Sequence, residues 1–257
     1  MVKEKGVSGV GEAKKERFRT ACEEIIEGAR EENGIGTLSE KTLHAVLKRY
    51  FELDGGICEI KFGRYFADVV LGELGIFEIQ TRDFYVLRNK LEAFLKIADV
   101  TVVYPIPYRK WLCWIDGETG ETTPKRKSPK IGSVYDAFPE LYKIKMQLDN
   151  SKLHLCLVLL EFTEYRFLNG WSKDKKKGSS RCERIPNDLT EEFYIQDIED
   201  YKKLIPEGLP AQFTAKDYAE AVKRNHRLGQ TALNVLVHVG AVRHVGKKGN
   251  LFLYERT

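Results

Sequence analysis

At 257 residues, with 42% apolar and 31% charged residues, the chain can bury one sizeable core and a second small one. Its five cysteines, Cys22, Cys58, Cys113, Cys156 and Cys182, stand far apart with no C-x-x-C pair, which speaks against a zinc ribbon or a disulfide framework and reads as small buried hydrophobes. The net charge of +4 is modest, but from Ala211 to Thr257 eight Lys or Arg stand against three Asp or Glu, so the basic excess lies in the last segment, where it suits a polyanion. The N-terminus lacks the apolar stretch of a secretory signal. The longest apolar run, Leu153 to Leu160, is interrupted by His154 and far too short to span a bilayer, so a cytoplasmic protein without a membrane partner is expected.

Taken in chain order, Glu12 to Glu31 carries Phe18, Ala21, Cys22, Ile25 and Ile26 at helical spacing and ends before the Gly34-Ile-Gly36 break. Ser39 offers an N-cap to a second helix with Leu43, Val46, Leu47 and Tyr50 inward. After Gly55-Gly56 come three short runs, Ile57 to Phe62, Tyr65 to Leu71 and Ile76 to Thr81, predicted as sequential antiparallel strands. Asp83 to Ala98 returns to a helical period, and Val100 to Tyr104 is a strand halted by Pro105 and Pro107. Lys110 to Asp116 and Glu121 to Thr123 flank a Gly-Glu-Thr-Gly turn, Val134 to Leu148 reads as helix, and Leu153 to Phe162 as a buried strand. The Lys-, Gly- and Ser-rich stretch Lys173 to Arg181 reads as a mobile loop or hairpin tip. The pattern implies an α/β (α+β) fold in three parts: a helical segment over 1–36, a main domain over 37–205, and a small domain over 210–257 set off by Ile205-Pro206 and Leu209-Pro210.

The second hairpin carries the chemistry. With its turn centred on Glu73, Asp68 pairs with Glu78, and Gln80 lies on the same face as Glu78. Two carboxylates facing each other across adjacent strands, with β-carbons about 5 Å apart, repel unless a cation lies between them. Phe66, Val70 and Ile76 share their face in this pairing, an apolar setting in which unpaired charge is expensive. Oxygen ligands from Asp68, Glu78 and the Ile79 carbonyl suit Mg²⁺ or Mn²⁺.

The spacing resembles the PD-(D/E)xK nuclease superfamily, whose core runs helix, three antiparallel strands, helix, strand. The match is Asp68, nine intervening residues, then Glu78-Ile79-Gln80. Ala67 stands where that family has Pro, and Gln80 where it usually has Lys, although some restriction enzymes of the superfamily also carry Gln there. The resemblance covers roughly Leu38 to Pro107. It implies a restriction-endonuclease-like core that hydrolyses phosphodiester bonds in DNA, with Asp68 and Glu78 holding metal, Gln80 orienting water or phosphate, and Glu40 as an auxiliary acid with His44 one turn along. Glu59 is a further candidate acid near the pair. Thr81 and Arg82, at the start of the following helix, are candidates to hold a phosphate.

At the C-terminus, Thr214 and Asp217 form a capping arrangement for a short helix through Tyr218, Ala219 and Val222. The next helix carries Leu228, Ala232, Val235, Leu236 and Val239 on one face, ends at Gly240, and leads through Val242 to Val245 and Leu251 to Tyr254. Helix, turn, helix and a two-stranded wing resemble a winged-helix domain over Phe213 to Tyr254. On that resemblance Arg227, Gln230, Thr231 and Asn234 face a DNA groove, and Lys247 and Lys248 at the wing tip meet backbone. A basic loop with Lys125, Arg126, Lys127 and Lys130 is a weaker phosphate candidate. Partners weighed are DNA, RNA and a second copy as a homodimer. The rival to a nuclease is a non-catalytic DNA-binding regulator or interaction protein on the same scaffold.

Overall fold

The computed structural model of the protein describes residues 10–33, 41–116, 119–168 and 180–257, with side chains described for these except 29–33, 41 and 180–183. Helix α1 (Glu12–Asn33) and helix α2 (Lys41–Glu52) precede strands β1 (Ile57–Phe62), β2 (Tyr65–Leu71) and β3 (Gly75–Ile79). A 3₁₀ turn (Phe84–Leu87) and α3 (Arg88–Phe94) lead to β4 (Val100–Asp116) and the short β5 (Arg126–Lys127). A 3₁₀ turn (Val134–Ala137), α4 (Phe138–Leu141) and a second 3₁₀ segment (Tyr142–Gln147) separate these from β6 (Leu153–Leu168) and β7 (Ser180–Ile195). The chain ends with α5 (Ile198–Lys202), α6 (Ala215–Ala221), α7 (His226–His238), β8 (Val242–Lys248) and β9 (Leu251–Arg256). The fold is mixed α/β.

The main sheet runs β1-β2-β3-β4-β6-β7, with β5 beside β4. β1, β2 and β3 are antiparallel; β3 runs parallel to β4 and β4 parallel to β6; β7 returns antiparallel. Both faces of the sheet are covered. α1 and α2 seal one face with Phe18, Leu47, Tyr50 and Phe51 against Val69, Phe77, Ile79 and Val103. α3, α4 and the C-terminal helices seal the other against Ile76, Val100 and Val102. Double burial explains why β3 is apolar at nearly every position and why Glu78 within it is only 4% exposed.

Three expectations change. β4 does not stop at its prolines: it runs through Pro105 and Pro107, with a bulge between Pro107 and Arg109. On this side of β4 the pairing with β3 ends at Val103 and the pairing with β5 starts at Trp111, so each proline nitrogen can face the stretch of edge that needs no donor. The helix expected over Asp83 to Ala98 is a 3₁₀ turn followed by the seven-residue α3, and Val134 to Leu148 is likewise broken into short helical turns. On either side of the segment 205–210, Phe213, Tyr218, Leu233 and Leu236 pack in one apolar cluster with Phe138, Leu141 and the sheet. Arg224, just past α6, reinforces this union. It makes a two-pronged ion pair with Asp136 at 2.7 and 2.9 Å and donates to Ser133 Oγ and the Ile131 carbonyl, each at 3.0 Å.

Gly34 to Glu40 and most of Lys173 to Arg181 lie outside the described residues, as does the Cys182 side chain. Cys22, Cys113 and Cys156 are buried free thiols and Cys58 is half-buried. Among the described residues no helix is long and apolar enough to cross a membrane.

Candidate functional site

The β2–β3 ladder pairs Val69 with Phe77, Val70 with Ile76 and Leu71 with Gly75. One step further along this register sets Asp68 opposite Glu78. The turn is tight where β3 begins: Gly75 has φ +82°, and a β-carbon there would collide with the Asp99 carbonyl, so glycine is required. On the other flank Glu59, opposite Asp68, takes a left-handed φ of 58° and drops out of the β1–β2 ladder. Its carboxylate turns to Lys48 at 2.5 Å and is largely exposed, so Glu59 does not join the pair.

Asp68 lies between α2 and β3. Its Oδ2 accepts from the Ile79 backbone N–H at 2.8 Å and sits 3.2 Å from His44 Nε2. Burial alone would raise its pKa, but the bond from His44, its charge, the Ile79 amide and Lys90 outweigh burial and hold Asp68 below the usual carboxylate value. Glu78 has the opposite fate. Burial first, then the neighbouring Asp68, push its pKa up to about 7 against the pull of Lys90. Lys90 of α3 makes a short ion pair with Glu78 Oε1. The other oxygen, Oε2, is buried with no hydrogen-bond partner. A buried, partnerless carboxylate oxygen beside a second carboxylate is an electrostatic demand for one more cation or proton.

Lys90 escaped the sequence reading. A lysine flanking the buried stripe of Leu87, Leu91 and Phe94 ordinarily keeps its head group in water, so only the fold reveals its contact with Glu78.

The remaining expected site residues are placed less centrally. Glu40 lies outside the described residues. Ile79 takes part through its N–H, with its side chain in the core. The Gln80 side-chain amide donates to the carbonyls of Arg82 and Asp83, the latter at 3.3 Å, and so pins the turn after β3. Thr81 and Arg82 occupy a bend ahead of a 3₁₀ turn and do not open an α-helix; the Phe84 amide is already taken by Glu140 at 2.7 Å. Phe66 does not enclose the pair: it is 54% exposed beneath Lys61, whereas Ile76 is buried and Val70 packs against the core. Among the described residues no group of three or more His, Cys, Asp and Glu is arranged to hold a metal ion; the candidate donors are the two carboxylates and backbone.

The C-terminal elements form a second locus. Thr214 and Asp217 make a reciprocal capping box at α6, and Phe213 and Tyr254 exchange backbone bonds at 3.0 and 2.9 Å, tying the entry of α6 to β9. Gly229 lets α7 cross α6 closely, since a β-carbon there would strike the Ala215 carbonyl. Arg227, Gln230 and Asn234 are exposed on α7, with Asn234 accepting from Lys145 at 2.9 Å. Thr231 is half-buried and its hydroxyl donates back to the Arg227 carbonyl at 2.9 Å. Lys247 and Lys248 are exposed at the end of β8, Lys247 lying 4.8 Å from the Phe252 ring centre. Lys125 and Lys130 are exposed around β5, as are its own Arg126 and Lys127.

Fold and site thus define a mixed α/β protein with a carboxylate pair at the β2–β3 hairpin, Glu78 buried and Asp68 half-buried, and a basic C-terminal helical module. Residues 41–196 match the family described as Domain of unknown function (DUF8091), and the chain belongs to it. The matched span runs from α2 to the end of β7, so it contains Asp68, Glu78 and Lys90 and ends before α5. An uncharacterized protein of Treponema pallidum (strain Nichols) is 29% identical over 231 residues, 86% of this chain and 87% of its own length, a share too large to be confined to the family span. No solved structure matches.

Proposed function

We propose that the protein is a metal-dependent nuclease of the PD-(D/E)xK kind, hydrolysing phosphodiester bonds in DNA and docking nucleic acid through a winged helix built from α6, α7 and the β8–β9 hairpin. The observation that carries the reading is the Asp68–Glu78 pair, in which Glu78 Oε2 is buried without a partner. The element order supports it: a helix, three antiparallel strands, a helix, and a strand parallel to the third.

The donor set fits a hard divalent cation, because Mg²⁺ and Mn²⁺ sites commonly use one or two carboxylates and keep several waters. Such an ion would supply a polarised water and positive charge beside the phosphate. The chain's own residues do the rest. His44 and the Ile79 amide orient Asp68, and Lys90 provides beside Glu78 the ammonium that Gln80 does not. Gln80 holds the bend bearing Thr81 and Arg82 against the end of β3. Glu40 keeps its proposed part as an auxiliary acid.

One observation favours a non-catalytic scaffold instead: Lys90 already neutralises part of the pair, so the carboxylates have an internal counter-ion. Titration of Mn²⁺ and Mg²⁺ against the protein, combined with cleavage of plasmid, single-stranded and branched DNA, separates the two. The nuclease reading expects saturable binding and cleavage, both lost in Asp68→Asn and Glu78→Gln with the fold retained. No binding and no cleavage by the wild-type protein would leave the scaffold.

A further inference from the structure

Between the carboxylate pair and the wing runs a chain of contacts. The turn after Gln80 is joined to the 3₁₀ segment Tyr142–Gln147 by Lys143 Nζ to Asp83 Oδ1 at 3.0 Å, and the start of α3 is joined to it by Arg88 Nε to the Lys143 carbonyl at 2.5 Å. That segment is joined to α7 by Lys145 Nζ to Asn234 Oδ1 at 2.9 Å. Beyond it opens a groove of about 520 Å³ between α7 and the wing, whose walls include Lys145, Gln230, Asn234, His238, His244 and Phe252.

Along this path three aromatic rings stand unusually far into solvent: Tyr85 at 62%, Tyr142 at 47% and Phe252 at 48% exposure. Each has a cation at its ring. Arg88 lies 4.6 Å from the centre of Tyr85, Lys145 5.3 Å from Tyr142 and Lys247 4.8 Å from Phe252. His244 packs edge-on against Phe252 at 4.8 Å and against Tyr254 at 5.8 Å, which keeps the wing ring in a fixed pose. Among the described residues no carboxylate lines the groove, and Asp83 and Glu140 are both paired with Lys143.

Exposed rings alternating with cations are poorly suited to a duplex, whose bases are already stacked and whose outer surface offers phosphate without ring faces. They suit an unpaired strand, which presents bases to the rings and phosphates to the cations. We infer that the strip Tyr85, Tyr142 and Phe252, with Arg88, Lys145 and Lys247, holds a single-stranded polynucleotide running between the wing groove and the Asp68–Glu78 pair. The inference rests on the nucleic-acid reading above and narrows it: the strand delivered to the carboxylates is unpaired.

The test is binding of fluorescent oligothymidylate, oligouridylate and a matching DNA duplex to the full chain in EDTA, so that cleavage plays no part. The single strands bind more tightly than the duplex, and the DNA and RNA arms tell which sugar is preferred. Tyr85→Leu, Tyr142→Leu and Phe252→Leu, all at exposed positions, each weaken single-strand binding about fivefold to a hundredfold, the range typical of one lost base stack, with duplex binding little changed. A 2-aminopurine base in the oligonucleotide is quenched by the wild type and less so by the variants. Tighter binding to duplex, or unchanged affinity in the triple variant, overturns the inference while leaving a duplex nuclease standing. Strand binding without cleavage after metal is added has the reverse effect. Absence of binding to every oligonucleotide at low ionic strength overturns it and reassigns the strip to a protein partner.

Discussion

Glu78 makes the stability of this protein depend on pH in a direction that can be worked out in advance. Its pKa in the folded state is about 7, whereas in the unfolded chain it returns to the ordinary glutamate value of about 4.3. Between these values the folded state keeps a proton that the unfolded state has released, so stability falls as pH rises through this window. At 1.36 kcal/mol per unit, the shift corresponds to a loss of about 3 kcal/mol between pH 4.5 and 7.5. Asp68 acts elsewhere: its pKa is lowered, so its contribution is complete above the unfolded aspartate value near 4 and is lost only as pH falls below it. The measurement is urea unfolding of wild type and Glu78→Gln at pH 5 and 7.5 in EDTA. Between these two pH values wild type loses about 2 kcal/mol more than the variant, with unchanged m-values. His44 is present in both proteins, so the difference isolates Glu78. If the pair holds a cation as proposed, added Mg²⁺ restores wild-type stability at pH 7.5 and has little effect at pH 5, where the proton already occupies the site. Parallel pH profiles for wild type and Glu78→Gln would refute the reasoning.

Other outcomes follow from the same contacts. Arg224→Ala removes a two-pronged ion pair and two further hydrogen bonds, and because the pair is partly solvated it costs about 2 kcal/mol, read as a fall in Tm of about 4–8 °C. Gly229→Ala is favoured by about 1 kcal/mol in helix propensity yet lowers Tm, since the new β-carbon meets the Ala215 carbonyl; a rise in Tm would show that α6 and α7 can separate freely. Replacing both Lys247 and Lys248 by Ala weakens nucleic-acid binding without regard to sequence and makes log K less steep in log salt by about 1.4 for a single strand. An unchanged slope would remove the wing from the interface.

The parts of the structure legible in the sequence are those set by local chemistry. Ile57 to Ile79 reads as three strands, and the register of the second pair follows because a turn centred on Glu73 pairs Val69 to Leu71 with Gly75 to Phe77. Thr214 and Asp217 declared a helix start because a capping box needs only residues three apart. What could not be read depended on the third dimension. The length of β4 follows from an edge left open between β3 and β5, which no window around Pro105 contains. Glu140 accepts from the Phe84 amide, at the start of the 3₁₀ turn after Thr81 and Arg82, from 56 residues away. Lys90 reaches Glu78 from a neighbouring helix, and the motif spacing was blind to it.

The C-terminal module teaches the same lesson with a consequence for function. Its sequence is self-consistent enough to read as a separate domain, with its own caps, its own apolar stripe and its own excess of basic residues. Yet Phe213, Tyr218, Leu233 and Leu236 complete the core begun by Phe138 and Leu141, and Arg224 clamps the loop at Asp136. A module tethered by a flexible linker would present substrate to the carboxylates over a broad range of distances. Under the proposed nuclease function, one that shares their core would present it at a single distance, set by α4 and the segment Tyr142–Gln147. Loosening that union through Arg224→Ala therefore bears on more than stability: a strand held at both the wing groove and the carboxylate pair would lose the fixed span between its two points of attachment, and with it the affinity that simultaneous attachment provides.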